Sequence, residues 1–192
     1  MASEGMVELG RVVRKHGSAA QQATLVHIAT NSIEYHLQPG AAAGARCSVE
    51  RLQCACATCV DKVMSLTHVA SCPGVAATQH RQRLQQVVLD ELSRASCAAI
   101  RAWQRANAHL ELAELFRELI PAADVPAAAS ELASHSRAAS LMCGAFTSRE
   151  ATAAARRMGC VSKDEVAEGQ SLLRRVRLLC LDSFTSLYAG VR

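Results

Sequence analysis

Aromatic side chains make up only 3% of this 192-residue chain. That scarcity argues against a β-sandwich, whose strands draw on β-branched and aromatic residues, and leaves alanine, leucine and valine to fill a core of packed helices. Lysine is nearly missing as well. Lys15, Lys62 and Lys163 are the only ones, so arginine carries almost all of the positive charge behind the net +4. A balance that mild permits contact with nucleic acid without demanding it. No uncharged apolar run reaches membrane length, and Glu4 and Glu8 interrupt any apolar leader at the start. The chain has no glycine-rich phosphate loop, no H-E-x-x-H and no G-x-S-x-G, which removes the enzyme classes those motifs announce. His109 with Glu111 and Glu114, and His135 with Glu131, are helix-surface pairs at spacings common by chance. The expectation is a non-catalytic, soluble, intracellular chain, in nucleus or cytoplasm, with no membrane partner.

Cysteine, by contrast, is abundant. There are nine, an odd number, crowded between positions 47 and 72. That distribution fits poorly with a secreted disulfide framework and points to a reducing compartment.

Hydrophobic spacing predicts helices throughout. Val7, Leu9, Val12 and Val13, then Leu25, Val26, Ile28 and Ile33, mark helix over 6–37, with a break at Gly17–Ser18. His36, at the end of that stretch, reads as a partner for the helix dipole. Leu37–Gln38–Pro39–Gly40 is a turn leading into the cysteine cluster. Beyond Gly74, Leu84, Val87, Val88, Leu92 and Ala95 share a face. Ile100, Trp103, Leu110, Leu115, Leu119 and Ile120 continue it, with a break near Asn107 and a stop at Pro121. Pro126 opens a helix leading to Leu132, Ala139 and Met142. Thr147 with Glu150, and Ser162 with Glu165, are capping boxes that start the last two helices, and Gly159 separates them. Val166, Leu172, Leu173, Val176, Leu179, Cys180, Phe184 and Leu187 face inward, whereas Arg174, Arg175 and Arg177 interrupt the apolar pattern. The expected fold is an all-α helical bundle with a small zinc-stabilised insertion. Its parts are a helical segment at 1–46, a Cys/His motif at 47–74 and a helical domain at 75–192.

The insertion carries the most specific signal. From Cys56 the chain reads C-x2-C-x8-H-x3-C, ending at Cys72–Pro73. A C-x2-C knuckle aims two sulfurs at one point, and a helical turn before Cys72 puts His68 on the same face at i, i+4. Cys56, Cys59, His68 and Cys72 thus match the Cys3His set of a closed structural zinc site. Cys54 is a possible substitute for Cys56, and Cys47 competes as well. The bland reading, buried thiols behaving as small hydrophobes, is assigned to Cys97, Cys143, Cys160 and Cys180. A thioredoxin-like use of Cys56 and Cys59 would need a preceding strand, and none is visible.

The run closing in "HVASCP" resembles the cysteine–histidine (CCHC) motif downstream of the reverse transcriptase domain in non-LTR retrotransposon proteins, of the R2-like and trypanosomatid spliced-leader kinds. The resemblance covers some 20 residues, with three residues rather than four before the last cysteine. It implies the same four ligands and a role in holding nucleic acid. Polymerase and nuclease motifs of that family are missing from the chain, so the resemblance implies no catalysis.

The leading expectation is a non-catalytic, zinc-stabilised helical module that binds nucleic acid through Arg81, Arg83, Arg174, Arg175 and Arg177. The alternative is a protein-interaction or assembly subunit of a larger intracellular complex.

Overall fold

The longest helix, near the C-terminal end, packs against the first helix, the helix that follows the cysteine cluster and the helix just before it. In the computed structural model, which describes residues 4–19, 21–22, 56–59, 68, 71–120 and 140–189, the helices in chain order are α1 (Glu4–His16), α2 (Val75–Ser93), α3 (Ala98–Asn107), α4 (Leu112–Leu119), α5 (Ser148–Arg157) and α6 (Lys163–Ala189). A short 3-10 turn spans Ala57–Cys59, and no strand occurs among the described residues. The fold is all-α, as expected.

Local chemistry sets the start of α5 and α6. The Thr147 hydroxyl accepts from the Glu150 amide at 3.1 Å while the Glu150 carboxylate accepts from the Thr147 amide at 2.6 Å. Ser162 and Glu165 repeat the arrangement, the Ser162 hydroxyl accepting at 3.2 Å and the Glu165 carboxylate at 2.9 Å. Such reciprocal pairs satisfy amides that the first helical turn leaves open. The Ser162 and Val161 amides also hold the Glu165 carboxyl below its usual range. Helix α5 ends in a Schellman turn: the Gly159 amide donates to Arg156 and the Cys160 amide to Ala155, with Gly159 at φ +89°, a conformation that suits glycine.

Leu172, Leu173, Val176, Cys180 and Leu181 of α6 are fully buried. They meet Leu84, Val88 and Leu92 of α2, an i, i+4, i+8 row, within one continuous core. Each such leucine is worth about 1.5–3 kcal/mol of burial. Helix α5 approaches α6 through Ala151, Ala154 and Ala155; a methyl on Gly169 would stand 2.7 Å from the Ala155 Cβ, so that pair of helices packs almost backbone to backbone. Helix α1 adds Leu9 and Val13 to this same core, although the sequence sets it apart in a separate segment. Its Glu8 accepts from the Ser148 amide and hydroxyl at the start of α5.

Gly17–Ser18 interrupts helix as expected, and a Ser18–Gln21 box begins the next one, with Gln21 reaching Asp182 of α6 at 2.8 Å. The break near Asn107 is present. A second break, at residues 94–97, was not expected. It follows from tertiary capping, since the Glu168 carboxylate of α6 accepts from the Ser96 and Cys97 amides. Val87 is 39% exposed rather than on the core face. Cys97, Cys143, Cys160 and Cys180 are buried, as their bland reading requires. The expectations for 23–37, the turn at Pro39–Gly40, His36, the Pro126 helix start, Leu132, Ala139 and the His135–Glu131 pair lie outside the described residues, as do the side chains of Phe184 and Leu187.

Candidate metal centre

A second, much smaller cluster sits at the N-terminal end of α2, where Cys56, Cys59 and Cys72 pack with Ala77. The knuckle begins with the Cys59 amide donating to the Cys56 carbonyl at 2.9 Å, which closes the 3-10 turn. The third cysteine arrives from a helical turn whose closing bond runs from the Cys72 amide to the His68 carbonyl at 2.7 Å. Pro73 then ends that turn and α2 starts after Gly74.

The three sulfurs lie within 4.8 Å of one another, and those of Cys59 and Cys72 are 3.9 Å apart. A disulfide would need about 2.05 Å. Thiolates about 2.3 Å from a shared tetrahedral ion stand roughly 3.8 Å apart, so the observed edge is one that a shared ion could span. Backbone amides already point at two of the sulfurs. Gly74 donates to Cys72 at 3.3 Å, and Thr58 donates to Cys56. In both cases the donor lies two residues after the cysteine, which is the arrangement that favours a thiolate.

The three thiols differ in their titration. The Thr58 amide holds the Cys56 thiol below its usual value. Burial, followed by the neighbouring Cys56 and Cys72, pushes Cys59 up to about 12. Three thiolates this close repel one another, so a cation is what allows all of them to ionise together, with release of their protons.

Two features at the N-terminal end of α2 shape this cluster and are not legible in the motif. A side chain at Gly74 would meet the Cys56 Cβ at 3.1 Å, the Cys72 sulfur at 3.2 Å and the Cys56 sulfur at 3.4 Å. The only sequence signal for this is a glycine directly after Cys72–Pro73. Arg81 donates to the Cys72 carbonyl at 2.8 Å and to the Thr78 hydroxyl at 3.1 Å. It clamps the turn that carries Cys72.

Three of the four expected ligands therefore converge: Cys56, Cys59 and Cys72. His68 sits one helical turn before Cys72 with its Nε2 buried, but its ring does not join the group of atoms within 4.8 Å of one another. Cys54 and Cys47 lie outside the described residues.

The arginines separate into distinct environments. Arg83 and Arg174 are exposed. Arg81 is engaged with the Cys72 turn. Arg175 crosses to α2 and pairs with Glu91 at 2.5 Å, a carboxylate whose residue is only 8% exposed. Arg177 requires a correction. It is 4% exposed, its guanidinium donates to the Phe146 carbonyl, lies 4.5 Å over the Phe146 ring and stands 3.9 Å from Glu8. A phosphate backbone outside the protein cannot reach it. The reason is positional: on α6 it lies one residue beyond Val176 and four before Leu181, inside the apolar face.

No family model, curated protein or solved structure matches this chain.

Proposed function

We propose that this chain is a non-catalytic helical module stabilised by one zinc ion, held by Cys56, Cys59 and Cys72 with His68 as the fourth ligand. The observation that carries the reading is the convergence of three sulfurs, two of them already accepting from backbone amides. His68 is supported as the fourth ligand by its position one turn from Cys72, where side chains share a face. Zinc with three thiolates and an imidazole has a net charge of −1, and the centre sits at the N-terminal end of α2, where the helix dipole favours an anion. Gly74 gives that helix no side-chain cap, and its own amide donates to the Cys72 sulfur. A closed four-ligand set has no open position for water and serves to hold structure. Metal analysis of purified protein tests the reading. About one zinc per chain is expected, and no stoichiometric metal discards it.

Nucleic acid is the partner class we place first. Its support is the exposed pair Arg83 and Arg174, together with the resemblance of Cys56–Cys72 to the retrotransposon cysteine–histidine motif. Two phosphate contacts imply a shallow salt dependence, with affinity falling roughly tenfold between 50 and 200 mM salt. Retention on an oligonucleotide with that slope supports the reading. No retention at low salt transfers the module to the alternative, a subunit of a larger protein complex.

A further inference from the structure

The donor set at the cysteine centre is complete for one class of ion and incomplete for another. A tetrahedral zinc site needs four ligands, whereas an ion that accepts three-coordination needs only the sulfurs. The 3.9 Å edge suits both geometries, because thiolates about 2.3 Å from the ion stand roughly 3.8 Å apart in a tetrahedron and roughly 4.0 Å apart in a triangle. What separates them is His68, which lies outside the converged group. Access is also graded. Cys59 and Cys72 are buried while Cys56 is partly open, so an incoming ion meets Cys56 first. Soft thiolates suit cuprous copper as well as zinc.

We propose that Cys56, Cys59 and Cys72 form a three-thiolate site for a thiophilic monovalent cation, cuprous copper being the probe, which exchanges with zinc and leaves His68 uncoordinated. This rests on the reading that the three sulfurs are metal ligands, and it goes beyond that reading in the ion and in the role of His68. In the exchange, three Cu–S bonds replace three Zn–S bonds and one Zn–N bond. Zinc leaves as a divalent ion and no sulfur changes oxidation state. The centre gains one negative charge, at a helix terminus suited to carry it.

The test titrates zinc-loaded full-length protein, without oxygen, with cuprous ion supplied as its bicinchoninate complex, while a chromophoric chelator reports released zinc. One zinc released per copper is expected, and copper-edge X-ray absorption should show a sulfur-only shell. His68→Ala should weaken zinc binding by at least roughly 10–100-fold, the scale already reached by losing an outer-shell partner of a ligand, and leave copper affinity unchanged. An imidazole in the copper shell of the wild-type protein, or equal weakening of both metals in the variant, overturns the proposal. If zinc binds but copper does not displace it, this inference alone fails. If neither metal binds, the zinc reading fails with it.

Discussion

Replacing Arg177 separates a surface arginine from an internal strut. The side chain makes a charge-assisted hydrogen bond to the Phe146 carbonyl, worth about 1.5–3 kcal/mol. It also makes a ring contact at 4.5 Å, worth about 0.5–2 kcal/mol. The pairing with Glu8 at 3.9 Å is weaker, because Glu8 keeps its bonds to Ser148. Against these stands the cost of burying the guanidinium, which lowers its pKa from the usual value. Removing one partner from a buried charged network costs about 3–5 kcal/mol, and that is the expectation for Arg177→Ala. In urea, with a slope of about 2–3 kcal/mol per molar for a domain of this kind, the midpoint should fall by roughly 1–2.5 M. Arg177→Met keeps much of the packed stem and removes the charge to be desolvated, so its loss should be smaller, about 1–3 kcal/mol, chiefly from the stranded Phe146 carbonyl. Equilibrium denaturation of the two variants beside wild type is the assay. Arg177→Ala within about 0.5 kcal/mol of wild type, the range of ordinary surface changes, would refute the strut and restore Arg177 to the surface set.

Three further outcomes are expected. Burial, then the charges of Arg81 and Arg83, lowers the His80 pKa from 6.5 to about 4. Above 6.5 both states are neutral there. As pH falls from 6.5 to 4 the unfolded chain takes up a proton that the folded one refuses, so stability declines, and below 4 the loss is constant. The full displacement corresponds to about 3 kcal/mol, and with solvent screening about half of it should register. Denaturation across this window should show the decline, and His80→Gln should remove it; an unchanged slope in the variant rules His80 out as the source. Gly169→Ala places a methyl 2.7 Å from the Ala155 Cβ and should cost about 1–3 kcal/mol through overpacking, read as a lower thermal midpoint; a raised midpoint would show that α5 and α6 have room. Gly74→Ala crowds Cys56 and Cys72 at 3.1–3.4 Å and should raise the chelator concentration-independent loss of zinc several-fold, while amide exchange in Leu84–Leu92 stays protected, because those residues belong to a separate core. Equal zinc retention in wild type and variant would mean that Gly74 does not set the fit.

What could be known from the residue order alone is what depends on near neighbours. Thr147 with Glu150 and Ser162 with Glu165 satisfy amides within one turn, and Gly159 supplies a backbone conformation within its own residue. The knuckle from Cys56 to Cys59 and the turn from His68 to Cys72 are equally local, which is why their cysteine–histidine spacing is legible without the fold. What only the packed molecule decided involves partners far apart in the chain. Glu168 ends one helix and begins another by reaching the amides of Ser96 and Cys97, more than 70 residues away. Arg177 looks like its neighbour Arg174 on paper, and only the arrival of Phe146 and Glu8 makes it internal. The convergence of Cys72 with the knuckle likewise depends on how the start of α2 meets an earlier segment. Short-range hydrogen bonds are encoded by spacing, whereas the burial of a charge depends on which surfaces come to cover it.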